Sequence, residues 1–442
     1  MKTTTLTIFL LFASNLSDLQ MTLDSCLAYA MDNNKSLLSQ FQNQIVKAID
    51  KKTAWGQLAP EIVFSSEFDY YWKIPIQAFP AEFVGGESGT FAAIPTGTPW
   101  MGNYGVQART KLVDVKAWQD IKLSALQQQA AQNELLSVKK VLCRNISIAF
   151  YIVQQKKNNW DISHKRHKNY IEIHNLIKLQ FDKGLIDKIS LNQSAVLLKE
   201  QEENCSKAET ELQNALLDLK FWMGYPLDSE LLIAENSEGN ESSKSSECTN
   251  SFNSSLPPTL FNAAMLPDYE NQKAKVDIAH QQYKSAIAAL YPTLNLRSSY
   301  GQSGFGEKIS KTDWFTSGFI RLEVRVPLFS PTKAYSPKRQ AALRNHAEYE
   351  FFAYQESQQK EFMQKIILLN DALKSLQIQR ENVFLAEDNE RLSRQKIERG
   401  IIDMIQLKQV QQDLNRSQEL LNILQINTMR YYIEIKYMQS NE

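Results

Sequence analysis

The feature that most constrains this chain is an internal duplication, because a unit written twice at a fixed offset folds twice in the same way. Residues 181–189 (FDKGLIDKI) lie over residues 397–405 (IERGIIDMI), and the two glycines are 400 − 184 = 216 residues apart. The same offset sets Val106 on Leu322, Ala108 on Val324, Thr110 on Val326 and Leu112 on Leu328. Further upstream, residues 58–66 lie over 290–298 with an offset of 232. The extra 232 − 216 = 16 residues belong to an insertion between Tyr70 and Tyr104. That segment carries Pro75, Pro80, Gly85, Gly86, Pro95, Gly97, Pro99 and Trp100, which predicts a long loop. Each half therefore reads as helix, strand, long loop, strand, very long helix, tip and long helix.

The strands are read from period-two alternation. Ile62, Phe64, Phe68, Tyr70 and Trp72 alternate with Val63, Ser65, Glu67, Asp69 and Tyr71, and Tyr104, Val106, Ala108 and Leu112 alternate with Gln107, Arg109 and Lys111. In the second half Leu294, Leu296 and Tyr300 alternate with Asn295, Arg297 and Ser299, and Ile320, Leu322, Val324 and Val326 alternate with Arg321, Glu323 and Arg325. One apolar face and one charged face, with aromatics near the apolar ends, is the pattern of a strand between lipid and a wet lumen. The same alternation fits a half-solvated sheet in a soluble protein. Taken as membrane-crossing strands, four are too few to close a barrel, so the chain must oligomerise. Three copies would supply about twelve, an even number as such barrels require.

Between Lys116 and Asp182 there is neither proline nor glycine, which allows an unbroken helix of about 100 Å. Near the C-terminus Leu407, Val410, Leu414, Ser417, Leu421, Leu424, Thr428 and Tyr431 keep a heptad frame. Shifted by 216 they become Leu191, Ser194, Leu198, Gln201, Cys205, Ala208, Leu212 and Ala215. At the hairpin tips Gly184 and Gly400 suit the left-handed residue that ends a helix, and Asp187 and Asp403 suit the cap of the next. Leu185 with Ile186, and Ile401 with Ile402, are apolar pairs at these turns, which predicts a docking surface. Packing inside the assembly is the plainer alternative.

The bulk properties narrow the function by exclusion. Lysine plus arginine and aspartate plus glutamate both number 49, so no net field favours nucleic acid. Lys2 followed by an apolar run from Leu6 to Ala13 predicts a signal peptide, with the mature chain starting near Leu19. The four cysteines are far apart and carry neither metal nor redox spacing. His164, His167 and His174 share a helix without completing a metal set, and no nucleophile or phosphate-cradling motif appears. No catalytic chemistry, metal or cofactor is expected.

Taken in order and repeated twice, these elements resemble the TolC-like outer membrane efflux family. The carriers are the paired tip glycines, the strand starts after Pro60 and Pro292, and the strand ends at residues 111–113 and 327–329. The resemblance covers nearly the whole mature chain. It implies a mainly α protein with transmembrane β-structure: a homotrimer with a twelve-stranded barrel in outer-membrane lipid and a long α-helical coiled-coil tunnel through the periplasm. A periplasmic adaptor (membrane fusion) protein would meet the tips, and an inner-membrane pump or secretion ATPase would drive export. In this frame residues 1–18 are the signal and 19–228 the first repeat, with strands about 61–73 and 103–113 and a hairpin about 115–222. Residues 229–258 are a polar equatorial connector. Residues 259–442 are the second repeat, with strands about 293–302 and 316–329 and a hairpin about 334–438. The lumen would be lined by Glu67, Asp69, Arg109, Lys111, Arg297, Arg321, Glu323 and Arg325.

Family members often carry aspartates six and nine residues after the second tip glycine, where they line the periplasmic entrance. Here Gln406 and Gln409 stand there, with Ser190 and Gln193 at the first-half equivalents. A cation-binding carboxylate ring is therefore replaced by an amide constriction, unless these glutamines only solvate the helix surface. The rival function is a soluble periplasmic coiled-coil adaptor-like protein. Such a protein would need neither two equivalent hairpins nor four strands of membrane-crossing length.

Overall fold

A computed structural model describes residues 21–234, 261–266, 268–398 and 404–439. The predicted signal at 1–18, most of the connector and the second tip with Gly400, Ile401 and Ile402 lie outside the described residues. The elements run α1 (Leu23–Asn33), α2 (Lys35–Gly56), β1 (Glu61–Tyr70), β2 (Ile76–Pro80), β3 (Phe91–Pro95), β4 (Trp100–Val113), α3 (Val115–Asp182), α4 (Lys188–Met223), α5 (Tyr269–Ala288), β5 (Thr293–Lys308), β6 (Lys311–Arg325), α6 (Pro331–Glu398) and α7 (Met404–Gln439). Adding 216 to the bounds of α3 and α4 gives those of α6 and α7. The long helices are 68 residues each and the returning ones 36. Among the described residues no helix is long and apolar enough to cross a membrane.

Two compact units divide the chain. One comprises Met1–Gln44, Ala131–Gln272 and Phe351–Glu442, the other Ile45–Ala130 and Lys273–Glu350. In the first, one core gathers Cys26, Ala30, Leu142, Ile146, Phe150, Val153, Leu219 and Met223. Burial pushes the Cys26 thiol up to about 11, so this cysteine packs as a small apolar residue rather than reacting. Of the sixteen predicted heptad positions, Leu407, Leu414, Thr428, Ser194, Gln201, Ala208 and Ala215 are buried and the other nine are half-buried. Beside this seam a polar ladder links α3 to α7. Gln155 Nε2 donates to Asn422 Oδ1 (2.9 Å), Asn422 Nδ2 donates to Asn159 Oδ1 (2.9 Å), and Arg166 reaches Asn415 and Gln418. Partners at fixed heights penalise a helix sliding by one turn, because buried polar groups would then be left unpaired.

The end of α4 is tied to the α1–α2 junction. Gly224 caps α4 with φ 71°, Asn34 Nδ2 donates to Trp222 O (2.8 Å), and Leu37 N donates to Asn34 Oδ1 (3.0 Å). A Cβ on Gly224 would lie 2.6 Å from Asn33 O. Gly224→Ala is therefore expected to destabilise the protein by about 2 kcal/mol, through strain and a backbone clash together. Gly56→Ala, where a Cβ meets nothing within 4 Å, is the control. Thermal melts followed by helical circular dichroism should show a lower Tm for the first substitution only.

In the second unit the four long strands form one antiparallel sheet in the order β1-β4-β5-β6, and β2 and β3 form a separate hairpin. The insertion expected to be a loop thus contains that hairpin and a short 3-10 turn at Ala81–Val84. The second half has no long loop, since β5 and β6 are separated by Ile309 and Ser310 alone. β6 also stops at Arg325, short of the predicted end near 329, because Pro327 has no N–H to continue the ladder. Helical segments of the same unit meet through Trp55 stacked edge-on to Trp118 (5.9 Å) and Gln281 Nε2 donating to Gln119 O (3.0 Å).

Candidate functional site

The strand register decides which side chains share a face. Glu61 pairs with Arg109, Glu67 with Asn103 and Asp69 with Met101. Arg109 pairs with Arg297 and Lys111 with Asn295. Arg297 pairs with Arg321, Asn295 with Glu323 and Thr293 with Arg325. Side chains alternate along each strand, so Glu67, Asp69, Arg109, Lys111, Arg297, Arg321, Glu323 and Arg325 all stand on one face of the sheet. The eight residues expected to line a lumen are together. On that face Arg325 donates to Glu323 (2.8 Å), Lys111 pairs with Asp114 (3.0 Å), and the Arg321 guanidinium lies over the Phe319 ring (4.7 Å).

The opposite face carries Ile62, Phe64, Val106, Ile320, Leu322 and Val324, all exposed. At its far end Phe68 meets Trp314 edge-on (6.2 Å), Tyr104 meets Trp314 (4.9 Å), and Tyr70 meets Trp100 (4.7 Å). An aromatic belt beyond an apolar band is the pattern that the outward face of an outer-membrane strand shows. Sequence reading missed how glycines shape it. A Cβ on Gly102 would sit 2.9 Å from the Phe68 ring, and one on Gly304 would sit 2.9 Å from the Trp314 ring. Here glycine makes room for an aromatic to lie over the strand. β1, β4, β5 and β6 are 10, 14, 16 and 15 residues long, against the 9–11 or so that a tilted strand needs to cross a bilayer. Among the described residues β1 and β6 are both open edges.

The first tip lies in the other unit. Gly184 has φ 70°; its N–H donates to Phe181 O (2.8 Å) and that of Leu185 to Gln180 O (3.0 Å). Those two bonds close a Schellman turn. Asp187 then caps α4 by accepting from Ser190 N (2.9 Å), and its hydrogen bonds with Ser190 hold the carboxyl below its ordinary value. The two apolar tip residues diverge. Leu185 is 70 % exposed, while Ile186 is half-buried against the cluster of Tyr170, Ile177, Leu197 and Leu407. Ile189, on the first turn of α4, is the exposed residue that joins Leu185.

Of the predicted entrance residues, Ser190 serves in the cap and Gln193 is half-buried, while Gln406 and Gln409 are exposed. Gln409 Nε2 donates to Asp413 Oδ1 (3.3 Å), and Lys408 pairs with Glu200 (2.7 Å). The Lys408–Glu200 pair was not legible as part of this region. Its chemistry is common on helices, and only the approach of α4 to α7 brings Glu200 to Lys408, whereas Asp413 lies one turn from Gln409 on α7 itself. Two of the three histidines are otherwise engaged: His164 stacks on Trp160 (5.4 Å) and His174 bonds Ser194 (2.8 Å).

Solved structures share this architecture across nearly the whole chain. The channel-forming protein CusC superposes with TM-score 0.75 over 96 % of this chain and 93 % of its own, at 13 % identity. This is the fold of outer-membrane channels. VceC of Vibrio cholerae, an outer membrane protein, gives 0.72 over 94 % and 95 % at 14 % identity. The MtrE outer membrane channel of Neisseria gonorrhoeae, in its open state, gives 0.69 over 94 % and 88 % at 11 % identity. No protein-family model matches the sequence, and no curated protein matches it either.

Proposed function

We propose that this chain is one protomer of a homotrimeric outer-membrane duct, a passive exit path of a tripartite efflux or secretion system. The observation that carries the reading is the open four-stranded sheet, charged on one face and apolar on the other, with strands of membrane-crossing length and two unpaired edges. Unpaired strand edges cannot remain in a bilayer. Two further copies would close twelve strands, with the charged face around a wet lumen and the apolar face against outer-membrane lipid. The repeats 19–228 and 259–442, joined by 229–258, would each supply two strands and one hairpin.

In this arrangement the helical hairpins extend into the periplasm. Gly184, Leu185 and Ile186, with Gly400, Ile401 and Ile402, would dock a periplasmic adaptor, and an inner-membrane pump or secretion ATPase would supply the energy. Ser190, Gln193, Gln406 and Gln409 would form the polar entrance. Conduction and gating need no nucleophile, metal or cofactor. The molar mass of the protein extracted in mild detergent, corrected for bound detergent, should correspond to three mature chains, each lighter than the 50.7 kDa of the full sequence by its signal peptide. A monomer released into buffer without detergent would favour the adaptor-like alternative instead.

A further inference from the structure

The charge on the polar face of the sheet is sorted along the strands. Arg109, Arg297 and Arg321 are direct cross-strand partners in a single row, with Glu61 beside Arg109 at its end. That row sums to 3 − 1 = +2 per chain. Like charges directly opposite destabilise a sheet, so a row of three arginines is an unfavourable choice for strand pairing alone. The neighbouring charges relieve little of it. Glu323 bonds Arg325 (2.8 Å) and approaches Arg297 only at 3.9 Å, while Lys111 is balanced by Asp114 (3.0 Å). Among the described residues no carboxylate comes within 4 Å of Arg109 or Arg321. The carboxylates of Glu67, Asp69 and Asp313 are grouped at the other end of the same face, toward the β5–β6 turn.

We propose that this row is an anion-selecting belt where the strands meet the helices, and that the cargo class it favours is small organic anions bearing carboxylate or phosphate groups. The proposal rests on the duct reading. In a closed trimer the row would repeat three times around the lumen, with nine arginines and three glutamates, and net charge 3 × 2 = +6. Guanidinium groups bind planar oxyanions by bidentate hydrogen bonds, and a ring of one sign between low-dielectric walls focuses field onto the passing ion. The belt would then attract anionic cargo where it leaves the helical tunnel. The carboxylates beyond it would hold such cargo less well and favour its release outward.

The test is the reversal potential of the purified full-length protein in a planar bilayer across a potassium chloride gradient, with pyrophosphate added as a competing polyanion. The parent should prefer chloride to potassium, and pyrophosphate should reduce the current. The combined Arg109→Gln, Arg297→Gln and Arg321→Gln variant should lose that preference about threefold or more, the scale of a potential of one or more kT. Glu61→Gln should shift the ratio the opposite way, toward chloride, which a folding defect would not imitate. Channels that prefer potassium, or a preference unchanged in both variants, would overturn the belt and leave the duct intact. Absence of channels from a monomeric protein would remove duct and belt together.

Discussion

Ile320→Arg should abolish the assembled membrane form of this protein while leaving its helices folded. Ile320 is 81 % exposed and lies on the apolar face, paired with Ser298 across the sheet. For a soluble sheet, an arginine at so exposed a site would change stability by no more than about 0.5 kcal/mol. In a bilayer it would place a guanidinium in hydrocarbon near the middle of a spanning strand, at about 2–4 kcal/mol per chain. Three copies of the substitution cost about 6–12 kcal/mol, comparable with the whole stability of an ordinary domain. Ser317→Arg supplies the control, since Ser317 stands on the polar face opposite Gly301. Detergent-extracted membranes should yield the trimer for Ser317→Arg and none for Ile320→Arg. Equal yields would mean that this face does not meet lipid.

The sequence was informative wherever physical periodicity was strong. Alternation of charge and apolarity placed Arg109, Arg297 and Arg321 on one side of their strands, and the pairing then set them in a row, because parity along a strand does not depend on knowing its ends. The glycine pair at offset 216 likewise located the tip, since Gly184 has the left-handed conformation that the Schellman turn requires. The ends of strands were less legible. Glycine disfavours strands in isolation, so the predicted strand ends near 302, before Gly304 and Gly306, yet β5 continues through both to Lys308. What keeps them in the strand is nonlocal. Gly105 and Gly301 face each other so closely that a Cβ on Gly301 would lie 2.3 Å from Tyr104 O, and Trp314 fills the space above Gly304. Side chains brought together by helix pairing were equally hidden. Nothing in the heptad pattern marks Arg166 as the partner of Asn415 and Gln418, or Glu200 as the partner of Lys408.

Leu185→Asp should abolish export while leaving the duct assembled, and the reason lies in the geometry of its turn. In a Schellman turn the residue after the left-handed glycine commonly packs on the helix residue whose carbonyl it bonds. Here that residue is Gln180, a polar partner, and Leu185 remains 70 % exposed. The backbone around it is fixed by the two turn bonds and the Asp187 cap, so little ordering entropy remains to be lost when a partner binds. Aspartate keeps the turn, because the side chain makes no core contact, and its effect on stability should stay within about 0.5 kcal/mol. An apolar anchor in an interface contributes about 2 kcal/mol or more, and each 1.4 kcal/mol is tenfold in affinity. With three copies of the tip per duct, the combined loss would exceed a thousandfold if all engage. Cells carrying the complete system should therefore lose export to the level of cells without the duct. The trimer mass and single-channel conductance of the purified variant should match the parent. Export unchanged by the substitution would remove Leu185 from the docking surface. Loss of the trimer would instead show that Leu185 packs between copies of this chain, and the adaptor would then have to bind elsewhere on the hairpins.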